Sequence, residues 1–222
     1  SSPPDVYIPG NVGIGTINPS KKLDVNGDDL INTLTVGKGG GNISTNTTVG
    51  IDALIINSTG INNTAFGSQA LNKNTTGNDN VATGSKSLYK NITGDANTVV
   101  GNQSLYNNTT GSYNTAVGLQ SLYSNNTGEY NVTVGSESLV YNTTGNNNVA
   151  IGYKAGYNNT IASNNTFIGN LTNITPTNAT WTESTALGHQ ALIAKSNQIV
   201  LGRTSSPPDV YIPGNVGIGT IN

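Results

Sequence analysis

Apolar residues in this chain come in short bursts that recur every 17 residues. Between residues 46 and 181 a 17-residue unit runs eight times without a gap. The copies start at Asn46, Asn63, Asn80, Asn97, Asn114, Asn131, Asn148 and Asn165. Places 2 and 4 of the unit are mostly Thr or Val, and Val, Ile or Phe, while place 3 is usually small. That alternation predicts a short strand with places 2 and 4 on one face. Gly holds place 5 in all eight copies, from Gly50 through Gly118 to Gly169, and lets the chain bend there. Places 8 to 10, as in Ser104-Leu105-Tyr106 and Ser121-Leu122-Tyr123, predict a second short strand, with Leu on one face and Ser and Tyr on the other. Asn-x-Thr-Gly at places 12 to 15 supplies turn chemistry, because Asn and Gly tolerate left-handed backbone.

A fixed short period with fixed turn residues marks a repeat architecture. The expected fold class is all-β: a parallel β-solenoid or β-roll of stacked 17-residue rungs, cut from a longer fibre. One coil cannot bury its own Val and Leu, but coils stacked at roughly 4.8 Å can, and eight would make a rod of roughly 38 Å. Val100, Val117 and Val134 at place 4 and Leu105, Leu122 and Leu139 at place 9 are the expected core. The place-5 glycines should then align in a column. Asn at place 1 of every copy is expected to stack as an amide ladder, assigned to Asn63, Asn80, Asn97, Asn114, Asn131 and Asn148.

The flanks divide the rest of the chain. Residues 1–45 read as a connector with short strands, including Lys22-Leu-Asp-Val25 before the turn signal Asn26-Gly27. After the repeats the spacing slips: Pro176 stands at place 12, and Gly188 and Gly202 follow Gly169 at 19 and then 14 residues. Residues 182–204 are therefore expected to be irregular closing coils, with Trp181 covering the end of the stack. Residues 205–222 repeat residues 1–18 at every position. Either longer super-repeats or overlap along a polymer accounts for this, and both make 205–222 the start of the next unit. Self-association end to end is the expected partnership, with 1–18 and 205–222 sharing one conformation.

Composition removes several function classes. Only 9% of residues are charged and the net charge is −2, so the basic footprint of a nucleic-acid binder is missing. No apolar run reaches membrane-spanning length. Strict periodicity argues against the disorder that low charge and abundant Asn, Thr, Ser and Gly would otherwise suggest. Asp24 to Asp29 places carboxylates near a turn but lacks the spacing and closing Glu of a calcium loop. Gly37 to Gly41 has no Gly-Lys-Ser/Thr after it, so it is no phosphate cradle. His189 is the one histidine, without Cys or a nearby acid. No catalytic residue, metal site or cofactor is assigned, and the chain is read as non-enzymatic.

The recurrent chemical signal is Asn-x-Ser/Thr. At place 12 it occurs at Asn57, Asn74, Asn91, Asn108, Asn125 and Asn142, whereas few place-1 asparagines have Ser or Thr two residues on. That asymmetry assigns N-linked glycans to the six place-12 residues, as a hydrated ridge on a rod of low charge.

The units, such as Asn-Thr-Ala-Val-Gly-Leu-Gln-Ser-Leu at 114–122, resemble the head repeats of trimeric autotransporter adhesins. Ser196-Asn-Gln-Ile-Val-Leu-Gly202, Val210-Tyr-Ile-Pro-Gly214, Asn11-Val-Gly-Ile-Gly-Thr16 and Lys22-Leu-Asp-Val25 resemble connectors of phage and large-virus tail fibres. The first resemblance implies β-rolls in a homotrimer; both imply an extracellular or virion-surface location. The expected function is the structural repeat of an extracellular filament or fibre shaft, glycosylated. The alternative is a tail-fibre or adhesin module that binds a host surface.

Overall fold

A computed structural model describes residues 36–177 and 179–203, residue 18, and the backbone of the short strands before residue 36. The strands in chain order begin with β1 (Val12–Ile14), β2 (Leu23–Val25), β3 (Asp29–Ile31), β4 (Leu34–Gly37), β5 (Thr47–Gly50) and β6 (Thr64–Phe66). Next come β7 (Val81–Thr83), β8 (Thr98–Val100), β9 (Thr115–Val117), β10 (Val132–Val134) and β11 (Val149–Ile151). The last are β12 (Thr166–Ile168), β13 (Asn173–Ile174), β14 (Thr185–Leu187), β15 (Leu192–Ile193) and β16 (Ile199–Leu201). The shared conformation expected of residues 1–18 and 205–222 lies outside the described residues.

The chain is a parallel β-solenoid. From β5 to β12 each strand pairs with the next 17 residues on, as in Thr98↔Thr115 and Val132↔Val149. The same sheet continues through β14 and β16, with Thr166↔Thr185 and Thr185↔Ile199. Coils in 182–203 therefore change length but keep the plan of the rungs. The extra residues after β12 form β13, which pairs with β15 in a small sheet of its own. At the other end β4 lies antiparallel to β5, and β3 antiparallel to β4. This reversal ends the parallel ladder at its N-terminal edge.

Each of the first seven rungs has one three- or four-residue strand, where two were expected; only in the eighth rung and the coil after it do β13 and β15 add a second. Places 8 to 10 are turn, because Leu at place 9 takes left-handed backbone: Leu105 has φ 49° and Leu122 φ 55°. A strand would send Ser and Leu to opposite faces. The left-handed Leu lets both point inward, and Ser104, Leu105, Ser121 and Leu122 are all buried. Rung-to-rung hydrogen bonding survives without strand geometry. Leu105 N donates to Ser121 O at 2.9 Å and Asn107 N to Tyr123 O at 3.1 Å. The β-ladder thus extends around much of the coil.

Period two in the strand is real, but its phase is the reverse of the expected one. Place 3 faces the core: Ala65, Ala82, Val99, Ala116, Ala150 and Phe167 are buried. Places 2 and 4 face out, with Val100 at 41% and Val134 at 40% exposure; Val117 is half-buried. A one-residue shift of phase exchanges the faces of a strand completely. The reason is width. In the first six rungs the interior already holds a Leu from place 9, and a small residue at place 3 is what fits opposite it. The expected burial of Leu105, Leu122 and Leu139 agrees with the structure.

Two successive rungs show the volume rule by each breaking it once. Place 9 of the seventh rung is Gly156, and place 3 of the eighth is Phe167. A Cβ on Gly156 would lie 2.8 Å from Leu139 Cδ2 and 2.9 Å from Phe167 Cδ2. The Phe ring occupies the space that Leu fills elsewhere. Where Thr133 replaces Ala at place 3, its hydroxyl meets Ser121 Oγ at 2.6 Å, and Ser138 Oγ lies 2.9 Å from Ser121 Oγ. A small hydroxyl network then keeps the buried polar group bonded.

Candidate functional site

The chemistry that recurs along the rod is carried by asparagine amides in two buried columns. At place 1 the backbone N–H of each Asn donates to Oδ1 of the Asn one rung earlier: Asn63 to Asn46 at 2.8 Å, and Asn114 to Asn97 and Asn148 to Asn131 at 3.0 Å. The Nδ2 group reaches across its own rung to the place-15 carbonyl, Asn97 to Gly111 at 3.0 Å and Asn131 to Gly145 at 2.9 Å. Asn97, Asn114, Asn131 and Asn148 also donate Nδ2 back to the preceding Oδ1, at 3.0 to 3.2 Å. Asn63 and Asn80, nearer the start, give their Nδ2 to Gly77 and Gly94.

Place 12 forms a second ladder, which is where the sequence reading needs correction. Asn57, Asn74, Asn91, Asn108, Asn125 and Asn142 are all buried. Nδ2 of Asn74 donates to Asn57 Oδ1, Asn91 to Asn74, Asn108 to Asn91, Asn125 to Asn108 and Asn142 to Asn125, all at 2.8 to 3.0 Å. The same nitrogens donate to the place-15 carbonyl of their own rung, as Asn108 does to Gly111 at 2.8 Å. Both Nδ2 hydrogens are therefore engaged inside the rod. The exposed, sugar-bearing ridge expected at these six residues is not what the folded chain presents there.

The two ladders meet at place 15. Gly111 O accepts from Asn97 and from Asn108, and Gly77 O from Asn63 and Asn74. This explains the second recurrent glycine of the unit, from Gly60 to Gly145. A Cβ on Gly111 would sit 2.5 Å from Asn108 Oδ1 and 2.9 Å from Asn125 Nδ2. At place 5, an added Cβ would strike the carbonyl of the next rung's glycine, as at Gly101 against Gly118. The place-5 glycines thus stand in a column at backbone contact distance.

The place-12 ladder also has visible ends. Asn57 bonds back to Gly40 O at 3.5 Å, in the turn after β4. Asn159 is the seventh member, with Nδ2 bonded to Ala162 O at 3.0 Å and Asn142 Oδ1 at 3.4 Å. Pro176 stands at place 12 of the eighth rung and has no amide to offer, so Asn159 Oδ1 is buried without a partner. Trp181 packs against the core at that end and donates Nε1 to Thr175 O at 3.1 Å.

A third column was missed from sequence. Place-16 side chains accept a backbone N–H from the rung before: Asn78 from Ile61, Asp95 from Asn78, Ser112 from Asp95, Asn146 from Glu129. The residue type varies, but an acceptor recurs, and that was the available signal. Aromatic columns lie on the surface. Tyr89, Tyr106 and Tyr123 stack at 5.1 and 5.2 Å between ring centroids, and Tyr113 stacks on Tyr130 at 4.9 Å. Burial first, then the charges of Tyr89 and Tyr123, push the Tyr106 phenol up. Lys154 lies 5.2 and 5.0 Å from the Tyr153 and Tyr157 ring centres and 3.5 Å from Glu137. Its hydrogen bond to Tyr153 and the Glu137 carboxylate hold its ammonium above the usual lysine range.

Among the described residues no three His, Cys, Asp or Glu side chains group as metal ligands, and no helix is long and apolar enough to cross a membrane. His189 is exposed at place 6. No protein-family model, curated protein or solved structure matches the chain. What the arrangement does chemically is bond each rung to the next from inside as well as along the sheet.

Proposed function

We propose that this chain is the structural repeat of a fibre or filament shaft outside the cell or on a virion surface, with copies packed side by side along the outer sheet face. One observation supports this reading above others. Places 2 and 4 carry no charged residue from β5 to β16, and the place-4 column carries Phe66, Val100, Val134, Ile151, Ile168, Leu187 and Leu201, all exposed, among half-buried Val49, Thr83 and Val117. A soluble rod gains nothing from an uncharged, mostly apolar stripe facing water, whereas a neighbouring copy covers it. Its regular rung spacing suits a surface of the same period, which another copy of this rod supplies. Three copies about a common axis fit the homotrimer that the adhesin resemblance implies. End-to-end continuation is assigned to the connector, since the parallel ladder gives way to antiparallel β4 and β3 at its N-terminal edge.

Sedimentation of the purified chain tests this. The wild type should be oligomeric, and V100K/V134K should shift it to a folded monomer. A wild type that stays monomeric at high micromolar concentration would refute side-by-side packing. A second reading, a module holding a host surface, draws on the exposed Tyr113–Tyr130 pair, at 54% and 51% exposure. Loss of surface binding in Y113A/Y130A, with assembly intact, would favour it.

A further inference from the structure

The six place-12 asparagines carry an acceptor motif and a structural duty on the same atom. Asn-x-Ser/Thr accepts N-linked sugar. Transfer forms a bond between Asn Nδ2 and the anomeric carbon of an activated sugar. Nδ2 loses a proton, and the phosphate-linked carrier leaves with the electron pair of the broken C–O bond. The product nitrogen has one hydrogen where it had two. In the folded rod both are needed: Asn108 Nδ2 donates to Asn91 Oδ1 and to Gly111 O, each at 2.8 Å. Asn125 Nδ2 donates likewise to Asn108 Oδ1 and Gly128 O, each at 2.9 Å.

We infer that N-glycosylation at Asn57, Asn74, Asn91, Asn108, Asn125 and Asn142 excludes folding of their rungs, and that this chain folds where glycosyl transfer does not reach it. Order decides the outcome. On the folded rod the six nitrogens are buried and closed to any transferase. On the unfolded chain they are open, and a sugar added there cannot enter a gap of roughly 4.8 Å between rungs. One modified Asn has a single N–H left for the two bonds, one to its own rung and one to its neighbour, and six lie in succession. Other acceptors are indifferent to order. Asn42, Asn102, Asn164 and Asn170 also begin Asn-x-Ser/Thr, are exposed, and belong to neither ladder.

The structure also supplies a clean probe. The third residue of the place-12 motif is Thr59, Thr76, Thr93, Thr110, Thr127 or Thr144. All six are exposed, and none takes part in the side-chain hydrogen bonds that build the ladders. Changing all six to Ala removes the acceptor motif and leaves both asparagine ladders untouched.

The experiment makes the chain in a bacterial cytoplasm and through a eukaryotic secretory pathway, as wild type and as the six-Thr→Ala variant. Glycopeptide mapping and protease half-life are read on each. Both cytoplasmic proteins should be protease-resistant. Secreted wild type should carry sugar at place 12 and be degraded about tenfold faster or more, since cleavage tracks the open population. The secreted variant should regain resistance, with sugar confined to the exposed acceptors. Secreted wild type that is resistant with place 12 occupied overturns the exclusion. Secreted wild type that is resistant with place 12 empty overturns the claim about where the chain folds. A secreted variant as sensitive as secreted wild type also overturns it, because sugars elsewhere would then be responsible.

Discussion

Replacing Phe167 by Ala is the most informative single change in the core. The ring is fully buried and is the bulkiest side chain in the interior. Removing a buried Phe costs about 3–5 kcal/mol. For a chain of this size that lowers Tm by about 2–4 °C per kcal/mol. G156L should also destabilise, because even its Cβ would meet Leu139 and Phe167 at 2.8 and 2.9 Å. The double variant should recover most of the loss. It recreates the Leu-over-Ala combination of Leu139 with Ala150 one rung earlier. Backbone conformation is no obstacle: Gly156 has φ 66°, and the place-9 leucines sit between 46° and 55°. The coupling between the two sites should be about 3 kcal/mol, the upper range for residues in contact. Thermal and urea unfolding by circular dichroism of all four proteins gives the cycle. If the double variant loses the sum of the single losses, the volume exchange between Gly156 and Phe167 is wrong.

Three further outcomes follow from the ladders and the aromatic column. G111A should cost about 3 kcal/mol in urea unfolding, because its methyl is driven between Asn108 and Asn125; neutrality would mean that place 15 is not closed. N108D should destabilise by about 3 kcal/mol or more at neutral pH, replacing a double donor by a charged acceptor facing Asn91 Oδ1 and Gly111 O. That loss should shrink as pH falls and the carboxyl becomes protonated, and a pH-independent loss would contradict the bonding scheme. Tyr106 is raised above its ordinary 10.0 by burial and by its two stacked neighbours. Its contribution is therefore full below pH 10.0 and is lost as pH rises through the higher folded value. The unfolding free energy of Y106F should decline less steeply over that alkaline range.

The repeat was legible because its glycines and asparagines answer to contacts one rung away, and those contacts impose the period. Leu122 was legible as core because nothing else explains an apolar residue at so fixed a place. The strand phase was not. Thr115-Ala-Val117 alternates equally well with either face inward, and only the Leu arriving from place 9 decides that Ala116 goes in. Nor was the left-handed backbone of Leu105, since Leu carries no local preference for it. At place 12 the sequon spoke of a surface, while the neighbouring Gly111 spoke of a crowded interior. Taking Asn108 and Gly111 together would have pointed to the ladder. Place 16 hid its ladder behind variation, because Asn, Asp and Ser all accept a hydrogen bond.

The central claim is that two columns of asparagine amides bond the rungs from within. Hydrogen exchange of the Asn108 and Asn125 side-chain NH2 groups, followed by 15N NMR on the folded chain, tests it most directly. The account predicts that these protons are protected like the backbone amides of β9 and β10, and that Asn102 and Asn126 on the surface exchange freely. Side-chain protons at Asn108 and Asn125 that exchange as fast as those at Asn102 would contradict it.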